Sequence, residues 1–227
     1  MDIKDILKKS RSSNKDEIWV NKFDEESAQE FREDLLDAAK GDPQRPIVIY
    51  IDSYGGLLDS LAKMLATMDE ISNPLITVCM GKAMSCGAVL LSHGDIRFCD
   101  KYSRVMIHEA SGGAGGDVHD VHADAEELKR VNTKFLGLLA DNCGIKGGYQ
   151  GLREMIKNQD GRDCYLDADA AVKFGIVDVV GLPKVDQQTV NSVTMLPEKK
   201  RVRKFSKIQN QPKNKASKTK KAKTDSK

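Results

Sequence analysis

Hydrophobic positions along the chain change their spacing several times between residues 24 and 157. In residues 24–40, after an acidic start, Phe31, Leu35 and Ala39 recur at helical spacing before Gly41, which predicts an amphipathic helix. Strands alternating with helices along the chain indicate an α/β fold with a largely parallel core sheet. The predicted strands are PIVIYID (46–52), LITVCMG (75–81) and SRVMIHE (103–109), and the other predicted helices cover about 57–71, 88–94, 117–142 and 149–157.

Two stretches match neither pattern. The segment SGGAGG (111–116) is too rich in glycine for a helix or a strand, and we expect a mobile connection or an extended arm there. From about Met195 onward, polar residues and lysines dominate with almost no apolar ones, which predicts a disordered end.

Charge is distributed very unevenly. The chain of 227 residues has a net charge of +2, but residues 198–227 carry thirteen Lys and Arg against two acidic residues, so this tail is +11 and the rest is −9. The tail is either a solvated end or an electrostatic tether for nucleic acid or an acidic protein surface. Its KKRVRK cluster also resembles a nuclear localisation signal, a weaker alternative because such runs are common.

Cysteine usage and the absence of long apolar runs limit the class of protein. The five cysteines are odd in number and show no C-x-x-C spacing, so they predict neither a disulfide framework nor a zinc site. The N-terminal residues lack the apolar core of a signal peptide, and no apolar run is long enough to span a membrane. We therefore expect a cytoplasmic protein without membrane contact, metal or cofactor.

Ser85 is the first candidate for chemistry, because it lies where the strand LITVCMG gives way to the helical run CGAVLL. Amide groups at a helix start have no intrahelical acceptor and can stabilise a developing oxyanion beside a nucleophile. The surrounding A-M-S-C-G differs from the G-x-S-x-G elbow of hydrolases. Taken alone, a serine at this position is more often a helix cap.

A nucleophilic serine needs a base, and four histidines are available. His108 ends the apolar strand VMIH before the glycine-rich segment, although a lone histidine there is also compatible with a structural role. His119 and His122 have the spacing of a metal pair on a helix, but no third ligand is positioned. His93, next to a glycine, is typical of a turn.

Four separated motifs in one order resemble the ClpP family, the proteolytic subunit of the Clp protease. They are IDSYGG, GKAMSCGAVLL, SRVMIHEASGG and GRDCYLDADAAVKFGIVD, and the resemblance runs from about Ile47 to Val179. It implies a ClpP/crotonase-like spiral of β-β-α units with a protruding handle helix. The implied organisation is a divergent N-terminal segment (1–22), a serine protease domain (23–185) and a basic tail (186–227).

The resemblance also implies roles for individual residues in a serine endopeptidase. Ser85 corresponds to the nucleophile, His108 to the base and Asp163 to the residue that orients the base. Gly56 and Cys86 correspond to the residues whose amides form the oxyanion hole. Gly112 and Gly113 fall in the segment that resembles the family's substrate-pairing strand.

Assembly and partners are implied as well: protein or peptide substrates, stacked homo-oligomeric rings that are most simply heptameric, and a Clp-type ATPase unfoldase. Several positions depart from the family pattern. Tyr54 replaces a proline, Glu70 replaces an aromatic residue of the ATPase docking pocket, and Gly161 replaces an acidic residue linked to contact between rings. The N-terminal stretch KKSRSSNKDEIWVNKF also differs from the family's axial loops.

Three alternatives use the same fold. A capsid maturation protease of the phage type is compatible with the divergent N-terminal segment and the basic tail. A crotonase-like acyl-CoA enzyme needs two oxyanion amides but no serine, and would leave Ser85, His108 and Asp163 unexplained as a set. An inactive ClpP-like scaffold would lose at least one of these three residues, and all three are present.

Overall fold

The computed structural model describes residues 17–158 and 163–183 of the chain. These residues contain seven strands and six helices. The strands are β1 (Glu17–Val20), β2 (Ile47–Ser53), β3 (Leu75–Met84), β4 (Ile96–Cys99), β5 (Arg104–His108), β6 (Asp163–Asp167) and β7 (Val179–Val180). The helices are α1 (Glu25–Ala38), α2 (Leu58–Glu70), α3 (Cys86–Ser92), α4 (Val118–Cys143), α5 (Gly148–Lys157) and α6 (Ala168–Phe174).

One sheet connects all seven of these strands. Its main path runs β1-β2-β3-β4-β7 with parallel pairing, while β5 pairs in parallel with the end of β3 and antiparallel with β6. The first part of β3 therefore contacts β4 and its last part contacts β5. This change of partner brings the ends of β2, β3 and β5 together.

The apolar face of each helix explains its packing. In α1 the predicted spacing buries Phe31 and Leu35, and the helix begins where Asp24 accepts a hydrogen bond from the Ser27 amide at 2.8 Å. Helix α3 is buried along its whole length. The sheet and all six of these helices contribute buried residues to one continuous core.

A buried ion pair connects β4 with the ends of two helices. The Arg97 side chain is 1% exposed, and its Nη2 lies 2.6 Å from Oδ1 of Asp178. Its Nη1 donates to the carbonyl of Gly175 at 2.9 Å and to that of Asn142 at 3.4 Å. The guanidinium thus donates to carbonyls at the carboxyl ends of α4 and α6. Carbonyls at these positions receive no hydrogen bond from within their own helix.

The structure confirms the predicted α/β fold with a largely parallel sheet. The predicted end of β3 at Gly81 is wrong, because the strand continues to Met84. Residues 111–116 form neither helix nor strand, as predicted. In the described part of the chain, no helix is long and apolar enough to cross a membrane.

Candidate active site

Ser85 lies at the junction of β3 and α3 in a strained backbone conformation. Its φ is +54°, and among the described residues it is the one non-glycine residue with a positive φ. Such conformations cost roughly 1–3 kcal/mol and occur most often at functional sites. The Ser85 side chain makes no capping hydrogen bond with α3, so the cap interpretation of this serine is wrong.

His108 lies at the end of β5, directly beside this serine. Its Nε2 is 2.8 Å from Oγ of Ser85, a hydrogen-bond distance. The Ser85 amide donates to the carbonyl of Met106 at 2.9 Å, which fixes the end of β3 against β5. Backbone pairing between these two strands therefore sets the contact between the two side chains.

Asp163 reaches the other side of the His108 ring through the antiparallel pairing of β5 with β6, in which the two residues are direct partners. Its Oδ1 lies 3.8 Å from His108 Nδ1, within ion-pair range but too far for a hydrogen bond. Hydrogen bonds of this kind are often long in the absence of substrate and shorten when it binds. The structure thus brings Ser85, His108 and Asp163 into one row.

The Gly55–Gly56 turn covers the serine from the end of β2. A side chain on Gly55 would place its Cβ 2.7 Å from that of Ser85, so only glycine allows the turn to approach this closely. Gly56 has a φ of +154° and pairs in a single parallel bridge with Phe23. A Cβ on Gly56 would overlap the Phe23 carbonyl oxygen.

Cys86 connects this turn to the start of α3. Its Sγ donates to the carbonyl of Gly56 at 3.2 Å. Burial raises the pKa of the Cys86 thiol, which therefore keeps the proton that this hydrogen bond needs. This hydrogen bond joins the Gly55–Gly56 turn to the first residue of α3.

A small cavity opens beside the serine. It has a volume of about 30 Å³ and mostly apolar walls, with one amide side chain from α4, Asn132. The sequence predicts α4 only as a long helix and assigns none of its residues to the site. The lining residues besides Ser85 and His108 are Leu58, Cys86, Val89, Ile107, Ala110, Asn132, Phe135 and Leu136.

The segment that follows His108 is anchored to two helices. The Ala110 amide donates to Oδ1 of Asn132 at 2.8 Å, and Nε of Arg153 in α5 donates to Oε1 of Glu109 at 2.7 Å. Gly112 and Gly113 follow in exposed, irregular backbone, and Gly112 lies beside Leu128 of α4. Within the described residues, neither glycine belongs to the walls of the cavity.

The other three histidines lie apart from Ser85, His108 and Asp163. His93 follows α3 and contacts Asp69 at 2.9 Å, while His119 and His122 are exposed on α4. None of the five cysteines, all of which the structure describes, forms a disulfide. In the part of the chain that the structure describes, no group of three potential ligands is arranged to hold a metal ion. Gly161 and the basic tail lie outside the described residues.

A family model described as Clp protease matches residues 5–184. The chain therefore belongs to the Clp protease family, as the four motifs predicted, and its fold is the ClpP-like α/β fold expected from them. Membership in this family makes the chain a peptidase by class, that is, a hydrolase.

Proposed function

We propose that the protein is a serine endopeptidase in which Ser85 is the nucleophile and His108 the general base. The observation that carries this proposal is the 2.8 Å contact between Ser85 Oγ and His108 Nε2, made by a serine whose backbone is strained. A serine that only capped α3 would direct its oxygen to the helix amides instead.

The proposed reaction is acyl transfer to water in two steps. His108 Nε2 takes the Ser85 proton while Oγ attacks the peptide carbonyl, and Asp163 stabilises the imidazolium that results. The proton then passes to the leaving amine, and the carbonyl carbon remains esterified to Ser85. Water, activated by the same histidine, releases the carboxylate product and returns the proton to Oγ.

Two backbone amides, those of Gly56 and Cys86, would stabilise the oxyanion. Both belong to segments that approach Ser85 closely, and the Cys86 amide belongs to the first turn of α3, where helix amides have no intrahelical acceptor. Donors held in place before the reaction stabilise the tetrahedral intermediate without reorganisation. An acyl-CoA enzyme would use these amides but would leave the contact between Ser85 and His108 without a role.

Substrates are proposed to be unfolded proteins or peptides bound in an extended conformation. The irregular segment that contains Gly112 and Gly113 would pair with substrate backbone, which depends little on sequence. The small apolar cavity would accept one side chain next to the cleaved bond. We therefore expect broad specificity with a preference for short apolar residues at that position.

Assembly into stacked heptameric rings in the cytoplasm is part of the proposal. The first half of α4 is exposed, including Val118 (83%) and Val121 (42%), so identical neighbours would bury this surface. Five cysteines without a disulfide among them agree with a reducing compartment. Docking of a Clp-type ATPase has less support, because Glu70 pairs with Arg32, whose hydrogen bond holds the Glu70 pKa below its usual value.

A fluorophosphonate probe tests the nucleophile and the assembly on one sample. We expect a single covalent adduct, located on Ser85 by peptide mass spectrometry, and a native mass of a multiple of seven subunits. Labelling at another residue, or no labelling of the folded protein, would contradict the serine endopeptidase assignment. A monomer at micromolar concentration would contradict the ring.

The basic tail is proposed to bind polyanions, independently of catalysis. Deleting residues 198–227 should leave cleavage of a small peptide unchanged, because the tail carries none of the proposed site residues. The deletion should remove a salt-sensitive association with a polyanion such as heparin, measured by retention at increasing salt. Equal retention of the full-length and shortened proteins at low salt would mean that the tail is only a solvated end.

A further inference from the structure

Strand β3 bulges where it changes partner from β4 to β5. Cys79 pairs with Ile51 of β2, and the next pair joins Ala83 to Ser53, so one residue of β2 faces three residues of β3. The three are 80–82, and the one opposite them is Asp52. Bulges of this kind redirect a strand and are frequent beside active sites.

The side chain of Asp52 lies against this bulge. Gly81, at its centre, has a φ of +101°, and a Cβ there would lie 2.8 Å from Asp52 Oδ1. The Gly81 amide turns away from β2 and donates to Oγ of Ser103 at 2.6 Å. Because Ser103 directly precedes β5, the bulge is attached to the strand that ends at His108.

Lys82 connects the bulge to the turn over the nucleophile. Its Nζ lies 2.6 Å from Oδ1 of Asp52 and 4.4 Å from the centre of the Tyr54 ring. The Lys82 side chain is 20% exposed, whereas Tyr54 is 70% exposed. An ammonium at this distance attracts both a carboxylate and the face of an aromatic ring.

These contacts join the three chain segments that lead into the proposed site. Tyr54 immediately precedes Gly55, Lys82 lies three residues before Ser85, and Ser103 starts the path to His108. The Lys82 ammonium is the group that contacts both Asp52 and Tyr54 across the gap between β2 and β3. Lys82 of β3 thus adds a side-chain connection to the end of β2, next to the backbone pair of Ser53 with Ala83.

We propose that Lys82 is a positioning residue that, through Asp52 and Tyr54, holds the Gly55–Gly56 turn in register with Ser85. The inference rests on the proposed function. It explains how the Gly56 amide, one of the two proposed oxyanion donors, is held in place. In this proposal Lys82 acts through Asp52 and Tyr54 and takes no part in the bond changes.

The effect should fall on the chemical step rather than on substrate binding. A donor displaced by a fraction of an ångström still allows the substrate to bind, but it stabilises the oxyanion poorly. Removal of an oxyanion donor costs about 10²-fold to 10³-fold in kcat, so a displaced donor should cost about tenfold to thirtyfold.

The test compares Lys82→Met, Lys82→Arg and the wild type as full-length proteins. For Lys82→Met we expect kcat on a fluorogenic peptide and the rate of fluorophosphonate labelling both to fall by about tenfold to thirtyfold, with KM within about twofold. Lys82→Arg should remain within about threefold of the wild type, because a guanidinium pairs with a carboxylate and stacks on an aromatic ring. Lys40→Met, which removes an exposed lysine paired with Asp37 in α1, should match the wild type.

Each other result overturns the proposal. Wild-type labelling by Lys82→Met, or a loss confined to KM, would exclude a role in placing the turn. A loss in Lys82→Arg equal to that in Lys82→Met would mean that packing, rather than charge, is what matters. If Lys82→Met does not fold, Tyr54→Leu decides instead: we expect a decrease in kcat of about threefold or more, and an unchanged kcat overturns the proposal.

Failure of the proposed function is distinguishable from failure of this inference. If the wild type is not labelled on Ser85, both the proposed function and the role of Lys82 are wrong. If the wild type is labelled there and Lys82→Met reacts at the same rate, only the role of Lys82 falls.

Discussion

Replacing Ser85 with alanine is expected to lower kcat for peptide hydrolysis by about 10⁶-fold, to the background set by the remaining groups. The change removes the atom that attacks the carbonyl and the acceptor or donor that His108 contacts at 2.8 Å. The oxyanion amides and the cavity remain, so peptide binding should persist. The measurement is turnover of a fluorogenic peptide, with native mass to verify that the assembly is unchanged.

A second substitution tests whether the residues act as one unit. His108→Ala should also abolish activity, and the double variant Ser85→Ala/His108→Ala should be about as slow as either single variant, because the groups of a triad are not additive. Ser72→Ala is the matched control, since this serine is exposed in the loop after α2 and should leave turnover unchanged. Multiplicative losses in the double variant, or substantial turnover by Ser85→Ala, would contradict the proposed mechanism.

Local sequence patterns were sufficient for the elements that carry Ser85 and His108. Ser85 follows an apolar strand and precedes an apolar helix. Each of these two elements is recognised from a few consecutive residues. The chain from Glu25 to Ala38 likewise carries its own helical spacing and its own cap. Such features follow from short-range physics, so the sequence predicts them well.

Strands whose pairing partners are distant in sequence were harder to predict. β4 has four residues and β7 two, and neither has the length or alternation that marks a strand by itself. β6 was missed for the same reason, although Asp163 begins it and pairs with His108 55 positions earlier. Resemblance to a family supplied the role of Asp163; the spacing of residues alone did not.

The bulge in β3 shows why a strand boundary was predicted wrongly. The sequence predicts the end of the strand at Gly81, because glycine interrupts an apolar run. In the structure the side chain of Asp52 lies against Gly81, where any other residue would have its Cβ. The strand continues to Met84, with β5 as its new partner. Contacts of Lys82 with Asp52 and Tyr54 depend on that bulge, so no local pattern indicates them.

Replacing Arg97 with methionine is expected to lower the free energy of unfolding by about 3 kcal/mol. Methionine fills much of the volume but makes none of the hydrogen bonds of the guanidinium. The substitution removes the ion pair with Asp178 and leaves the Gly175 carbonyl without its donor. Because Asp178 is 38% exposed and water can replace part of the lost interaction, we expect a value at the low end for a broken buried pair.

Arg32→Met is the matched control for this loss, because Arg32 pairs with Glu70 at the surface with 35% and 50% of the two side chains exposed. That substitution should cost less than about 1 kcal/mol, since exposed ion pairs contribute little. Both variants are compared with the wild type by guanidinium denaturation at one protein concentration, because assembly adds to apparent stability. If Arg97→Met unfolds at the same denaturant concentration as Arg32→Met, the interaction of Arg97 with the ends of α4 and α6 does not stabilise the fold.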